Sequence, residues 1–174
     1  GLTIITSLNW ELQQEAQKIV LEWAEKNEKR FRAKNAALVA LDPKSGEILS
    51  MVGSRDYFDK ENDGNVNVTT RLRQPGSSFK PFAYAAAFER GYTPDTIVFD
   101  VETNFGVQGA EEYIPGNYDE KFRGPVTFKE ALAQSINVPA IKILYLAGLS
   151  NTINLAHSLG ITSLNNDPSH YGLS

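Results

Sequence analysis

The chain contains no cysteine, and its two histidines are His157 and His170. Without cysteine there is no disulfide, thiol nucleophile or thiolate metal site, and so few histidines make histidine-based catalysis or metal binding a poor starting hypothesis. No run of about 18 apolar residues is present, so no membrane span is expected. The chain also opens without a signal-peptide pattern, so we expect any anchor or export signal outside this segment.

Clustered positive charge is also lacking. Lys and Arg number 17 against 21 Asp and Glu, for a formal net charge of −4, and the basic residues are scattered. This distribution argues against nucleic-acid binding and against docking on an anionic membrane surface. What remains is a globular composition, 41% hydrophobic and 22% charged over 174 residues, which suits one domain or a piece of a larger one.

The first part of the chain predicts a helix followed by a hairpin. In TSLNWELQQEAQKIVLEWAEKNEKRF, Asn9 is a candidate N-cap, and apolar residues recur at helical spacing. The predicted buried face consists of Leu12, Ala16, Ile19, Val20 and Trp23. Two short apolar runs, 36–41 and 47–52, then flank the turn sequence DPKSG, which is typical of a β-hairpin.

The second part predicts mainly helices. Thr127 and Glu130 have the spacing of a capping box. Pro139 suits the first turn of the next helix and Gly148 its C-cap, and a further short helix is predicted to end at Gly160. The order of helix, hairpin and helices is an α+β pattern. Because a lone hairpin is marginal in water, we expect further strands and a domain that is incomplete in this chain.

The stretch RLRQPGSSFKPFAYAAAFERG places Ser77 and Lys80 three residues apart, on one face of a predicted helix start. Pro81 fixes that start near Ser77, because proline is tolerated only in the first turn of a helix. It also disfavours helical geometry at Lys80. A local rule broken at one position indicates a candidate functional site.

Ser77 and Lys80 have the chemistry of an activated nucleophile. A serine hydroxyl attacks once a base removes its proton. Lys80 can be that base if burial lowers its pKa well below about 10.4, and the N–H of Ser77 is a candidate oxyanion donor. The alternative is an ordinary helix N-terminus with a solvated lysine. If the Ser-x-x-Lys pattern is considered by itself, this alternative is favoured.

The surroundings of this pair resemble a known family. RQPGSSFKPF resembles, nearly residue for residue, the nucleophile motif of class A penicillin-binding proteins, whose Ser-x-x-Lys pattern is shared with β-lactamases. ALVALDPKSGEILSMVGSRDY resembles the first hairpin of the family, and YIPGNYDEKFRGPVTFKEALAQSINVPAIKIL the segment with its second motif. The resemblance runs from about Thr6 to Ser174.

The second motif of that family, Ser-x-Asn, occurs three times in the chain. Only the copy at 135–137 lies between two predicted helices and in the context of the family. The resemblance implies that Ser135 relays a proton between Lys80 and the leaving amine, and that the Asn137 amide binds the substrate peptide. From spacing alone, a helix C-terminus followed by an Asn cap is the favoured alternative.

Lys44-Ser45-Gly46 imitates the third family motif, Lys-Thr-Gly, but we exclude it as catalytic. The family motif lies on a strand after the second motif, whereas this copy precedes the nucleophile and falls in the predicted hairpin turn. The resemblance implies that residues 1–8 are a linker and that residues 9–174 are the N-terminal part of a transpeptidase domain. The C-terminal strands and the third motif are then expected outside this chain.

The resemblance implies the fold of penicillin-binding proteins and β-lactamases, an antiparallel sheet packed with helices. It implies a serine DD-transpeptidase in which Ser77 attacks the D-Ala-D-Ala bond of a peptidoglycan stem peptide. An amine of a second stem peptide then resolves the acyl-enzyme. β-Lactams are expected to acylate the same serine, and no metal or cofactor is implied.

The implied partners are donor and acceptor stem peptides, β-lactam antibiotics and the remaining C-terminal part of the domain, without nucleic acid. The implied location is the extracytoplasmic face of a bacterial cell membrane, and this chain alone is expected to be inactive. The alternative functions are a β-lactam-binding sensor or non-catalytic penicillin-binding module, and a β-lactamase or carboxypeptidase of the same fold. For a β-lactamase, no deacylating residue is identifiable in the sequence.

Overall fold

The computed structural model describes residues 1–108, 111–165 and 171, and the chain divides into two compact units, Gly1–Arg73 and Gln74–Ser174. Among the described residues, the first unit holds a long helix and a hairpin, and the second holds four α-helices and four short strands. Within the described residues, no helix is both long and apolar enough to cross a bilayer.

Helix α1, Trp10–Phe31, opens the first unit. Asn9 is its N-cap, as predicted, because the Leu12 N–H donates to the Asn9 side-chain oxygen at 3.0 Å. Such a cap satisfies one of the N–H groups that have no partner within the first turn. The helix ends at Arg32, whose φ of 59° is left-handed and whose N–H donates to Glu28 O.

The buried face of α1 differs from the prediction. It consists of Gln13, Ala16, Val20 and Ala24. The predicted face was wrong at its large residues, which are between 39% and 54% exposed: Leu12, Ile19 and Trp23. The cause is the amide of Gln13, whose nitrogen donates to Met51 O at 3.1 Å and whose oxygen accepts from Met51 N–H at 2.9 Å. These two bonds set the rotation of the helix against the hairpin.

Strands β1, Leu38–Leu41, and β2, Ile48–Val52, form the predicted antiparallel hairpin. The side chain of Asp42 closes the turn by accepting from the Lys44 N–H at 2.8 Å. Gly46 has a φ of 75°, which glycine adopts without strain, and its N–H donates to Asp42 O at 2.8 Å. The interpretation of residues 44–46 as a hairpin turn is therefore confirmed.

The polar loop that follows the hairpin is ordered by ion pairs. It contains two 3-10 turns, Lys60–Asn62 and Val68–Thr70. The guanidinium of Arg55 lies 2.8 Å from Asp59 and 2.5 Å from Glu28 of α1. The loop is therefore tied to the helix of its own unit.

The second unit contains more strands than the sequence predicted. Its helices are α2 (Lys80–Glu89), α3 (Phe128–Ala133), α4 (Asn137–Ala147) and α5 (Leu149–Ser158). Its strands are β3 (Ile97–Asp100), β4 (Val107–Gln108), β5 (Glu111–Glu112) and β6 (Gly124–Thr127). β3 pairs with β6 and β4 with β5, both antiparallel. The α+β prediction is confirmed, but these two pairs were missed.

Phe128 is the centre of the core in the second unit, and its side chain is fully buried. Its ring lies 5.9 Å from that of Tyr84 in a T-shaped arrangement and 5.7 Å from that of Tyr92, stacked. Burying one such ring contributes about 1.5–3 kcal/mol. Ile143 of α4 belongs to the same cluster, so the core holds α2 and α4 together. The first residues of these two helices form the candidate site.

The predicted helix boundaries of the second unit are largely confirmed. Thr127 and Glu130 form a complete capping box at the start of α3. Pro139 lies in the first turn of α4, and Gly148 is the C-cap of that helix. The predicted end of the last helix at Gly160 lies two residues beyond the observed end of α5.

Candidate active site

Ser77 lies in a 3-10 turn, Gly76–Phe79, that leads directly into α2. Gly76 allows this entry, because its φ of 54° is a left-handed conformation in which an L side chain is strained. Ser77 is exposed and Lys80 is half-buried. With φ −50° and ψ −42°, Lys80 is helical although Pro81 follows it, so the local rule is broken here, as predicted.

Ser135 ends α3 in a left-handed conformation, with φ 53°. Its N–H donates to Leu132 O at 3.0 Å, and the Ile136 N–H donates to Ala131 O at 3.0 Å. This is the hydrogen-bond pattern of a Schellman motif, in which glycine usually occupies the left-handed position. A serine there carries backbone strain, which is a recurrent feature of functional sites.

Lys80 joins the two candidate motifs. Its Nζ lies 2.7 Å from Ser135 O, 3.2 Å from Ser135 Oγ and 2.8 Å from Asn137 Oδ1. Asn137 is the first residue of α4, and its Nδ2 donates to Gly116 O at 3.3 Å. The structure thus brings three of the four predicted site residues into contact. Within the described residues, no hydrogen bond joins Lys80 Nζ to Ser77 Oγ.

Burial shifts the protonation equilibrium of the Lys80 amine toward its neutral form. Burial lowers the pKa of Lys80 from the ordinary lysine value of 10.5. The charged ammonium has three donors for the three oxygen neighbours. The neutral amine can donate to Ser135 O and Asn137 Oδ1 and accept from the Ser135 hydroxyl. Because both forms are hydrogen-bonded, Lys80 can gain and lose a proton without rearrangement of its neighbours, which suits a general base.

A buried polar group behind the site was missed in the sequence. Asn117 Oδ1 accepts from the N–H groups of Asn137 and Val138, at 3.1 Å each. Its Nδ2 donates to Asp100 Oδ1 at 2.8 Å. The only signal in the sequence is indirect: Ile136 precedes α4 and has no side-chain oxygen, so the cap of that helix must come from elsewhere.

The sequence of this chain matches the penicillin-binding protein transpeptidase domain over residues 36–170. The chain belongs to this family. It is 32% identical over 165 residues to penicillin-binding protein 2D of Bacillus subtilis, a match that covers 94% of this chain and 23% of the relative.

Solved structures of penicillin-binding proteins have the same fold. Penicillin-binding protein 1A of Haemophilus influenzae superposes with a TM-score of 0.68 at 32% identity, over 80% of this chain and 20% of that one. PonA1 of Mycobacterium tuberculosis in complex with penicillin V superposes with a TM-score of 0.69 at 24% identity, over 95% of this chain and 41% of that one. This chain therefore spans less than half the length of these penicillin-binding proteins.

These matches confirm the family resemblance and the transpeptidase-domain fold predicted from the sequence. They do not assign roles to individual side chains. The roles of Ser77, Lys80, Ser135 and Asn137 in this penicillin-binding protein domain stay predictions.

Proposed function

We propose that this chain is part of a serine DD-transpeptidase that cross-links peptidoglycan stem peptides through an acyl-enzyme on Ser77. One observation carries the proposal: the half-buried amine of Lys80, three residues after Ser77, contacts both Ser135 and Asn137. Acyl transfer by serine requires a nucleophile, a base of lowered pKa and a path for the proton. We assign the role of nucleophile to Ser77, that of base to Lys80 and that of proton path to the Ser135 hydroxyl, which lies 3.2 Å from Lys80 Nζ.

In the first step, neutral Lys80 takes the proton of Ser77 Oγ as that oxygen attacks the carbonyl carbon of the penultimate D-Ala. The Ser77 N–H has no acceptor among the described residues, so it is free to donate to the oxyanion. The peptide C–N bond then breaks. The proton passes from Lys80 through the Ser135 hydroxyl to the departing nitrogen, which leaves an ester on Ser77, free D-Ala and a neutral lysine.

In the second step, an amine of a neighbouring stem peptide attacks the ester carbonyl. Its proton passes through Ser135 to Lys80 and then to Ser77 Oγ as the ester C–O bond breaks. The products are a new amide cross-link and the free serine. Lys80 starts and ends each half-reaction neutral, which a lowered pKa favours.

The same serine is proposed to open β-lactam rings and to remain acylated. Support at the level of the fold comes from the PonA1 complex with penicillin V. We propose further that residues 9–174, after a linker at 1–8, are the N-terminal part of the transpeptidase domain. The remaining part would supply the Lys-Thr-Gly strand, and the domain would act on the extracytoplasmic face of a bacterial cell membrane.

The test is intact-mass spectrometry after incubation with benzylpenicillin, on the protein expressed with the sequence that flanks this segment in its gene. We expect one covalent adduct, absent from Ser77→Ala and retained by Ser78→Ala. Ser78 is the matched control, because it is the adjacent serine of the same 3-10 turn and its Oγ donates to Pro75 O at 2.5 Å. A folded protein that forms no adduct would exclude the acyl-enzyme.

A second assay separates catalysis from binding. The same protein is incubated with a stem peptide that ends in D-Ala-D-Ala and with an amine acceptor, and the amide product and released D-Ala are measured. We expect both products and none from Ser77→Ala. An adduct with benzylpenicillin but no amide product would favour the alternative of a β-lactam sensor.

A further inference from the structure

Helix α4 carries Asn137 at its first position but has no cap of its own. Ile136 stands at the N-cap and contributes no side-chain acceptor. The acceptor is Asn117, 20 residues earlier, whose Oδ1 receives the N–H groups of both Asn137 and Val138. The position of the first turn of α4, and with it of Asn137, therefore depends on a side chain from a distant loop.

Asn117 is held in one orientation. It is 7% exposed, and its Nδ2 donates to Asp100 Oδ1 at 2.8 Å and to Lys121 O at 2.7 Å. With two bonds to its oxygen and two from its nitrogen, the amide has no unused hydrogen-bonding capacity. A rotation that exchanged oxygen and nitrogen would place donors against the N–H groups of α4. The amide therefore has a single allowed orientation.

Asp100 anchors Asn117 from behind. Its side chain is fully buried, and Oδ2 accepts from the Arg123 N–H at 3.1 Å and lies 3.5 Å from the Arg123 guanidinium. Because a buried carboxylate needs several donors, Asp100, Asn117 and Arg123 form one mutually dependent group.

The same loop also orients the Asn137 amide. Gly116, which precedes Asn117, accepts from Asn137 Nδ2 at 3.3 Å through its carbonyl oxygen. The nitrogen end of the Asn137 amide is thus turned toward the loop. The oxygen end faces Lys80 Nζ, at 2.8 Å.

We propose that Asn117, anchored by Asp100, is a positioning residue for Lys80. It fixes the first turn of α4 so that Asn137 presents its amide oxygen, not its nitrogen, to the lysine. The inference rests on the proposed function, in which Lys80 is the base. It adds a residue outside both sequence motifs, acting through Asn137.

The Arg123 guanidinium in this network also pairs with Asp119, at 2.9 Å. Asp100 is paired with Arg123, and Lys142 of α4 lies close enough for Asp100 to oppose the lowering of its pKa by burial. Burial is the cause of the lowered Lys80 pKa, and no carboxylate among the described residues pairs with the Lys80 amine. Loss of the Asn137 oxygen from Lys80 would therefore remove one of three acceptors that favour the ammonium and lower the Lys80 pKa further.

The test measures the second-order rate of acylation by a fluorescent penicillin against pH, in the protein with its flanking sequence. We expect Asn117→Ala to lower the maximal rate about 10-fold or more, since small displacements of catalytic groups have effects of that size. We also expect the rise of rate with pH to move to lower pH, as in Asn137→Ala. The double variant should be no worse than Asn137→Ala, because the two residues act in series.

Asn9→Ala is the matched control, since it removes the same residue type from a helix cap in the first unit. It should leave both the rate and its pH midpoint unchanged. If Asn117→Ala does not fold, Asn117→Ser replaces it, because serine keeps one hydrogen-bond acceptor. Its pH midpoint should shift in the same direction by a smaller amount. An unshifted midpoint in Asn117→Ala, or effects that add fully to those of Asn137→Ala, would overturn the proposal. Absence of any Ser77-dependent adduct in the unmodified protein would instead refute the proposed function.

Discussion

Ser135 is a position where local stability and the proposed chemistry oppose each other. Its φ of 53° costs an L residue roughly 1–2 kcal/mol relative to a right-handed conformation, a cost that glycine does not have. Glycine in turn loses about 0.5–1 kcal/mol more conformational freedom on folding than alanine. Subtracting the midpoints, Ser135→Gly should be more stable than Ser135→Ala by about 0.75 kcal/mol.

The two variants are matched, because both remove the hydroxyl that lies 3.2 Å from Lys80 Nζ. We expect a melting temperature about 2 °C higher for the glycine variant, measured by thermal denaturation at one pH. The fluorescent penicillin should acylate both variants at equally reduced rates. The expected reduction is about 10²–10⁴-fold relative to the unmodified protein, because both variants lack a proton-transfer group. Equal stability of the two variants would refute the left-handed strain, and an unchanged rate would refute the relay.

Two further predictions concern pKa and burial. Acylation requires neutral Lys80, and burial lowers the pKa of this lysine from 10.5. The acylation rate, measured over a series of pH values, should therefore rise with pH through a midpoint below 10.5. A midpoint at or above 10.5 would contradict the role of burial. The Tyr84 hydroxyl is buried without a partner among the described residues, and burial raises its pKa. Tyr84→Phe should raise the free energy of unfolding by about 1 kcal/mol in urea denaturation, since a buried unsatisfied hydroxyl costs about that much or more. A loss of stability would mean that the hydroxyl has a partner.

The parts of the fold that the sequence predicted correctly are encoded by neighbouring residues. The Asn9 cap, the turn at 42–46 and the capping box at Thr127 each depend on atoms within five positions of one another. Their residue types are specific because only short polar side chains or glycine satisfy those geometries. Local hydrogen-bond chemistry was therefore enough to place them.

Two of the features that were missed, the β3–β6 pair and the buried face of α1, depend on residues far apart in the chain. β3 and β6 pair Val98 with Val126, so neither strand could be identified from a turn between them. The face of α1 was wrong because the amide of Gln13 is hydrogen-bonded to β2, and a periodicity argument counts glutamine as exposed. Both errors arise because tertiary contacts override local preference.

The candidate site depends both on short local motifs and on contacts between residues far apart in the chain. Lys80 and Ser135 were each identified from short motifs, but their contact spans 55 residues and followed from the family resemblance, not from spacing. Asn117 belongs to no motif and was invisible for that reason. It became identifiable only through the unpartnered N–H groups that α4 would otherwise have.

Three departures from local preference lie in one hydrogen-bonded network of the second unit. Lys80 is helical before a proline, Ser135 is left-handed where glycine is usual, and α4 starts without a cap of its own. At position 135, for example, glycine would adopt the left-handed conformation without strain but would remove the hydroxyl that lies 3.2 Å from Lys80 Nζ. Each irregularity involves a residue that contacts Lys80 or holds one of its neighbours, and at Ser135 the substitution that restores the local preference should stabilise the fold and impair acylation.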